Sequence, residues 1–259
     1  MINLSRFSSM FLIPILMIVS SCSQPSTNQV EDSANKPSDT PEVATEDPEK
    51  LDVDYLTTLA LMKGHLMVAQ ELIQAGKPEE AEPHIGHPVE ELYGDIEEQL
   101  VTRKITNFKS ILNQFHDLVK TAPKSDKIKT EYNSSMTAID QAIAAIPETK
   151  RQSPEFILQV INRLLETAKA EYQAAVAKGK IVELIEYQDS RGFVMFGEQL
   201  YQLIAPMMSQ NHPEKHQIIT TTLTELKTAW PSVNAPKSLV MTPEKVSELV
   251  TKIKENSQL

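Results

Sequence analysis

The chain has 259 residues, of which 41% are hydrophobic and 23% are charged, an ordinary composition for a globular protein. Its 35 acidic residues outnumber its 25 basic residues, and the formal net charge of −10 argues against nucleic acid or an anionic lipid surface as a partner. The charge is compatible with binding cations. Only 7 glycines and 5% aromatic residues occur, which disfavours a β-sandwich or barrel. We therefore expect an all-α protein.

Residues 1–21 have the features of a secretory signal. One positive charge at Arg6 precedes an apolar run that is too short to anchor the chain in a bilayer. The signal ends in Val19-Ser20-Ser21-Cys22, which resembles the bacterial lipobox. The resemblance implies that Cys22 is acylated, with palmitate among its acyl chains, and that the protein faces the periplasm from a lipid anchor in the cell envelope. Ser23 follows where an inner-membrane retention signal would have aspartate, so the outer membrane is favoured.

Residues 22–50 are predicted to be a lipidated, disordered tether. The stretch after Cys22 holds four prolines and seven acidic residues against two lysines, and its few apolar side chains cannot offset the entropy of ordering it. Cys22 is the only cysteine, so the chain contains neither an internal disulfide nor a second thiolate. Residues 51–259 are then the folded domain.

The domain is predicted to be a bundle of about seven or eight helices. Apolar residues recur at helical spacing, and the prolines at 154 and 243 mark helix starts behind the N-caps Ser153 and Thr242. The expected helices are 54–75, a short turn at 78–81 ended by Pro83, 88–122 with or without a break, 126–146, 154–178, 181–205, 213–229 and 243–256.

An internal echo suggests two related helical hairpin units packed about a pseudo-twofold axis. The segment KGHLMVAQEL (63–72) aligns with RGFVMFGEQL (191–200), and His87-Pro88 is echoed by His212-Pro213. The spacing between these pieces differs, so chance similarity is the other interpretation. In this alignment His65 corresponds to Phe193.

Three of the six histidines, His65, His84 and His87, lie on the first two helices and the turn between them. With Glu90 or Glu91 as an oxygen ligand they would suit zinc, iron or copper. In this hypothesis His65 is the fixed ligand from a rigid helix. His84 and His87 are ligands from the turn, and His87 sits outside the helix because it precedes a proline.

The alternative hypothesis is a helical interaction scaffold that holds another envelope protein. The same histidines would then be structural, with His65 hydrogen-bonded to a backbone carbonyl or to Glu91 and the others forming a turn and a cap. Metal–ligand bonds are about 2 Å long, so two ligand nitrogens of one site must lie close together. A separation of more than about 8 Å between the nearest nitrogens of His65 and His87 would therefore favour this alternative.

Three further groups carry polar or titratable side chains. Glu186 and Asp189 are paired carboxylates that could perform acid/base chemistry, or complete the metal site if their helix packs against the 54–75 helix. The other interpretation is a charge network of Glu186 or Asp189 with Arg191 or a neighbouring lysine. His212 and His216 are candidates for a second, softer site, and His116 is expected to be solvated. No nucleophile elbow, phosphate-binding glycine loop or metalloprotease motif occurs, so we do not expect an enzyme.

The pieces GHLMVAQEL, PHIGHPVEELY and EYQDSRGFV resemble those of secreted bacterial helical proteins. The tethered helical layout with His87-x-x-Glu90 is more distantly similar to imelysin-like periplasmic proteins, which implies a role in iron uptake. That family has Gly-x-His-x-x-Glu, whereas here Gly86 directly precedes His87, so only His87 and Glu90 carry over. The leading hypothesis is a membrane-anchored periplasmic lipoprotein that binds a transition metal ion or a metal-handling partner.

Overall fold

The computed structural model describes residues 47–259. The predicted signal, the acylated Cys22 and the tether up to residue 46 lie outside these residues. Within the described part, nine helices have ten residues or more, accompanied by one short helix, one π-helical turn and a two-residue β-hairpin. The prediction of an all-α fold is confirmed.

The helices are α1 (Pro48–Gln74), α2 (Pro78–His87), a π-helical turn (Pro88–Leu92), α3 (Tyr93–Thr102), α4 (Lys109–Thr121), α5 (Ile128–Ile143), α6 (Glu148–Arg151), α7 (Pro154–Ala175), α8 (Leu184–Asn211), α9 (Pro213–Lys227) and α10 (Pro243–Asn256). The strands β1 (Val176–Ala177) and β2 (Lys180–Ile181) pair antiparallel between α7 and α8. The predicted N-caps are present, since the hydroxyls of Ser153 and Thr242 each accept a bond from a first-turn backbone N–H.

Two proline predictions were wrong. Pro83 does not end a helix, because α2 continues from Pro78 to His87 with Ala81 and Ile85 fully buried, and this burial outweighs the one hydrogen bond that a proline removes. His87 is not pushed out of the helical region, since its φ of −50° and ψ of −46° are helical. The chain passes from His87 into the π-helical turn, whose wider bonding pattern accommodates a proline without an N–H.

The first helix begins earlier than expected. α1 starts at Pro48, so the last three residues of the predicted tether, 48–50, belong to it. The Asp47 side chain accepts a hydrogen bond from the N–H of Glu49, and Pro48 occupies the first helical position, where its missing N–H costs nothing. The stabilisation of the helix start by these local capping contacts outweighs the low helix-forming tendency expected from the polar composition of the segment.

The long predicted helix 88–122 is broken between α3 and α4. Lys104 adopts a positive φ of 57°, which ends α3, and the Tyr93 hydroxyl accepts bonds from the N–H groups of Phe108 and Lys109 at the start of α4. α7 likewise ends at Ala175, three residues before its predicted end. The hairpin turn Lys178-Gly179 follows, both residues having positive φ.

Two groups of helices share one core. α7, α8, α9 and α10 pack on one another as a four-helix group, while α1 packs on α2, α5, α7 and α8, and α4 packs on α2 and α5. The two longest helices, α1 and α8, pack against each other, and buried polar residues occur on both, among them His65 on α1 and Gln188, Asp189 and Ser190 on α8.

The contact between α1 and α8 is closest at two glycines. A Cβ added to Gly192 would lie 2.8 Å from the carbonyl carbon of Gly64 and 2.9 Å from Val68 Cγ2, and a Cβ on Gly64 would lie 2.7 Å from Phe193 Cδ1. Only residues without a side chain allow the two backbones to approach this far. Gly64 and Gly192 are also equivalent positions in the internal sequence echo, so the paired segments meet each other at this crossing.

Replacing Gly192 with alanine is expected to destabilise the fold. The new methyl group would collide with the Gly64 backbone, and overpacking of this kind lowers the free energy of unfolding by about 1–3 kcal/mol. Gly94→Ala is the matched control, since a Cβ at this α3 position meets nothing within 4 Å, and alanine should raise helix stability by about 0.5–1 kcal/mol. Urea unfolding followed by circular dichroism measures both. Equal effects of the two substitutions would contradict the close packing.

Candidate metal centre

Four side chains converge where α1, α2 and α8 meet. His65 comes from α1, His84 and His87 from α2, and Asp189 from α8, and one ligand atom of each lies within 4.8 Å of all the others. The structure thus brings together the three histidines that the sequence singled out. It adds Asp189. The sequence predicts this carboxylate as a ligand only if its helix packs against the first helix, and α8 does pack against α1.

The helix crossing explains why these residues meet. His65 follows Gly64 directly, and Asp189 lies three residues, about one helical turn, before Gly192. The glycine contact therefore holds the two side chains opposite each other. His84 and His87 are three residues apart on one helix, a spacing that places them on the same face of α2.

Asp189 is the centre of the cluster. Its Oδ1 lies 2.6 Å from Nδ1 of His65 and 2.6 Å from Nδ1 of His84, and its Oδ2 lies 3.3 Å from Nδ1 of His87. The three imidazole rings are packed with centroids 4.9 to 6.4 Å apart. Phe193, the residue equivalent to His65 in the sequence echo, packs edge-on against the His65 ring at 4.9 Å.

Gln188 determines which nitrogen of His84 carries a proton. The Gln188 amide nitrogen faces the carbonyl oxygen of Val233 at 3.2 Å and a Glu80 carboxylate oxygen at 3.4 Å, both of which only accept hydrogen bonds. Its Oε1 therefore points at Nε2 of His84, 2.8 Å away, and this N–H donates to it. A neutral His84 then presents the lone pair of Nδ1 to Asp189. Two acceptors at this distance require a cation between them, either a proton or a metal ion.

The third imidazole is only partly satisfied. Nδ1 of His87 is buried and makes no hydrogen bond within the described part of the chain. It points toward the same carboxylate group as the other two rings. A buried nitrogen without a partner is costly unless a ligand satisfies it. Nδ1 of His84 and Nδ1 of His87 are therefore the two nitrogens at which a metal ion could replace a proton. The residues present fit such an ion.

Burial and charge act against each other in the cluster. Burial lowers the pKa of His65 below its ordinary value, although Asp189 opposes the shift. For His87 burial is outweighed by the negative charges of Asp189, Glu91 and Glu171, so its pKa is raised. Burial likewise opposes ionisation of Asp189, but the three imidazoles hold the pKa of this carboxyl well below its usual range. Asp189 is therefore an anion at neutral pH.

The two predicted oxygen ligands are not in the cluster. Glu90 and Glu91 are both exposed on the π-helical turn. The carboxylate in the cluster is that of Asp189. The predicted charge network of Asp189 with Arg191 is absent from the described residues, because Arg191 forms a bidentate ion pair with Glu71 at 3.0 and 3.1 Å.

The segment around Asp189 is held by the loop that follows α9. The Trp230 indole N–H donates to the hydroxyl of Ser190, Arg191 donates to the Trp230 carbonyl, and the Tyr187 hydroxyl donates to the Ser232 carbonyl. Each residue from 187 to 191 except Asp189 thus has a bond to this loop or to its tryptophan. The side chain of Asp189 instead contacts the histidines, and the bonds of its neighbours to the loop hold this segment of α8 in place.

Comparison with known proteins finds a similarity to one family in the second half of the chain. Residues 147–259 match the family model of the iron permease-associated 4-helix bundle domain. The match covers less than half of the 259 residues. No curated protein and no solved structure matches the chain significantly. The predicted lipobox and the resemblance to imelysin-like proteins stay predictions.

The matched region contributes only part of the cluster. It contains α7 to α10, and so includes Asp189 and Gln188, whereas His65, His84 and His87 all precede it. The candidate centre therefore joins the region similar to the iron permease-associated domain to the helices in front of it. None of the helices in the described part is both long and apolar enough to cross a membrane.

The other histidines have separate partners. His116 is buried, contrary to the prediction that it is solvated, because α4 packs on α2 and its Nε2 contacts a Glu82 oxygen at 2.7 Å. His216 stacks on Tyr201 and contacts its hydroxyl at 3.0 Å. His212 lies at the junction of α8 and α9. Within residues 47–259, neither His212 nor His216 belongs to a group of three or more potential metal ligands.

Replacing Asp189 with asparagine should lower the pKa of His87. The carboxylate charge favours the imidazolium form, so removing it while keeping the shape must make that ring easier to deprotonate. A pH titration of the ring Cε1–H by NMR measures the shift in metal-free protein. Asp126→Asn, which removes an exposed charge from the loop before α5, is the control and should leave the titration of His87 unchanged. Identical curves for all three proteins would contradict the arrangement.

Proposed function

We propose that this protein binds one transition metal ion between His65, His84, His87 and Asp189, and carries it for an iron permease system of the cell envelope. The lipid anchor predicted at Cys22 would hold the domain at the periplasmic face of a membrane. The bound ion is cargo in this proposal rather than a catalytic centre, and no enzymatic activity is proposed.

One observation carries the proposal more than any other. The hydrogen bond from His84 to Gln188 leaves the Nδ1 lone pair of His84 facing a carboxylate that is almost fully buried. Metal-binding histidines characteristically donate their other ring N–H to an oxygen in this way, which fixes the ring and its tautomer. With the unpaired Nδ1 of His87, the cluster has the donor atoms that a metal ion requires.

The donor set favours a divalent ion. Three neutral imidazoles and one carboxylate carry a single negative charge, and nitrogen with oxygen ligands suits ferrous iron and zinc. The similarity of residues 147–259 to an iron permease-associated domain makes iron the first ion to test. One ligand atom from each of the four side chains lies within 4.8 Å of the others, a spacing compatible with a single bound ion.

Metal titration of the purified full chain tests the proposal. We expect one ferrous or zinc ion per chain with a Kd below about 1 µM. The combined substitution His65→Ala and His84→Ala should weaken binding more than about 100-fold, since it removes two ligands. His212→Ala, which removes a histidine outside the cluster, is the control and should bind like the parent.

Circular dichroism establishes that each variant is folded. Absence of binding by the parent chain, or equal affinity in the double variant, would contradict the proposal. Either result would favour the alternative of a helical interaction scaffold with structural histidines.

Gln188 provides an independent test. Gln188→Met keeps the length of the side chain but removes the oxygen that accepts from His84, and loss of such a supporting hydrogen bond typically weakens metal binding about 10- to 100-fold. Gln188→Glu restores an acceptor and should bind more tightly than Gln188→Met. Isothermal titration calorimetry with zinc compares the three proteins. A methionine variant that binds like the parent would show that the His84 tautomer is not set by Gln188.

A further inference from the structure

The four ligands differ in their access to solvent. The His84 side chain is completely buried, those of His65 and Asp189 are each 6% exposed, and that of His87 is 20% exposed. His87 is therefore the only one of the four with a substantial open side. An ion, or a donor atom that removes it, reaches the centre past this ring rather than through the helices that cover the others.

The four ligands also differ in how firmly they are held. His65 and His84 both contact the same oxygen of Asp189 at 2.6 Å, and His84 is fixed from its other side by Gln188. His87 makes no hydrogen bond through its Nδ1 within the described residues, and this atom lies 3.3 Å from the other oxygen of Asp189, a longer contact than those of the other two rings. Its ring can thus leave the centre without breaking a hydrogen bond at that atom, while departure of either other ring breaks at least one.

The backbone beneath His87 is less regular than that beneath the other ligands. His65 lies in the middle of the 27-residue α1, whereas His87 is the last residue of α2 and is followed by the π-helical turn. Single π-helical turns are frequent at functional sites, because their irregular hydrogen bonding permits local rearrangement. Pro88 removes a further backbone donor at this junction.

Two acidic side chains outside the cluster lie close enough to His87 to influence its pKa. Glu91 is exposed and Glu171, on α7, is half-buried, and both act electrostatically on His87. Burial, together with the charges of Asp189 and Glu186, raises the pKa of Glu171 to about 7. Within residues 47–259, neither Glu91 nor Glu171 forms an ion pair with a lysine, arginine or histidine. Glu171 is therefore only partly ionised at neutral pH, and Glu91 together with the ionised fraction of Glu171 favours a cation near His87.

We infer that His87 is the exchange ligand of this centre, the one whose bond to the ion forms last on loading and breaks first on transfer. The inference rests on the proposed function. In transfer, a donor atom of the acceptor binds the ion from the exposed side as the bond from His87 breaks, and the charge of the ion does not change. The remaining three ligands hold the ion until the acceptor supplies further donors. This identifies the site as one for transfer rather than permanent storage.

The rate at which a chelator removes zinc from the full chain tests this inference. In the parent protein, the rate should rise with chelator concentration, because the chelator displaces an accessible ligand. His87→Ala should accelerate zinc removal about tenfold or more, because the coordination position of His87 is then free for a donor atom of the chelator. His84→Ala is the matched variant from the same helix. It should lose more affinity than His87→Ala at equilibrium, and its removal rate should still rise with chelator concentration.

Chemical modification supplies a measurement on the unaltered protein. Diethyl pyrocarbonate should modify His87 faster than His65 or His84 in metal-free protein, with the sites read by peptide mass spectrometry, and bound zinc should protect His87. A removal rate that is independent of chelator concentration and equal in the parent and His87→Ala, or equal modification of all three rings, would overturn the exchange role. A parent chain that binds no zinc or iron at all would instead overturn the proposed function.

Discussion

The carboxylate of Asp189, buried where two long helices cross, is the group on which the rest of the structure depends. A buried anion costs free energy unless positive charge or hydrogen-bond donors compensate it, and three imidazoles from two other helices do so. The close contact of Gly64 with Gly192 holds these groups together. The same contact that determines how α1 and α8 pack therefore also determines the geometry of the candidate metal centre.

The candidate metal centre contains residues from the region that matches the family model and from the helices in front of it, so it connects these two parts of the domain. Asp189 and Gln188 lie in the region similar to the iron permease-associated domain, and the histidines lie in front of it. Gln188 connects three elements. It lies on α8, it forms hydrogen bonds with His84 and Glu80 of α2, and it donates to the carbonyl of Val233 in the loop after α9. The cluster is thus linked by hydrogen bonds to the loop after α9, which carries the only tryptophan, Trp230.

Much of this could be predicted from the sequence, because helix periodicity and N-caps are local signals. The convergence of His65 with His84 and His87 also followed from their apolar surroundings and short separation. The contribution of Asp189 required knowing that α8 packs on α1, a long-range contact that the sequence analysis could state only as a condition. Pro83 misled the prediction of where α2 ends, because tertiary burial of α2 outweighs the cost of one proline. Glu90 and Glu91 are exposed on the turn that follows α2 and lie outside the cluster.

We propose that a metal ion binds between His84 and Asp189. Without the metal ion, a proton would have to join these two facing acceptor atoms. Anomalous diffraction from crystals of the protein grown with zinc or ferrous iron tests this proposal most directly. We expect one strong anomalous peak within about 2 Å of nitrogens of the three histidines and of an Asp189 oxygen. Crystals that show no peak at this position, with the imidazoles still hydrogen-bonded to Asp189, would contradict it.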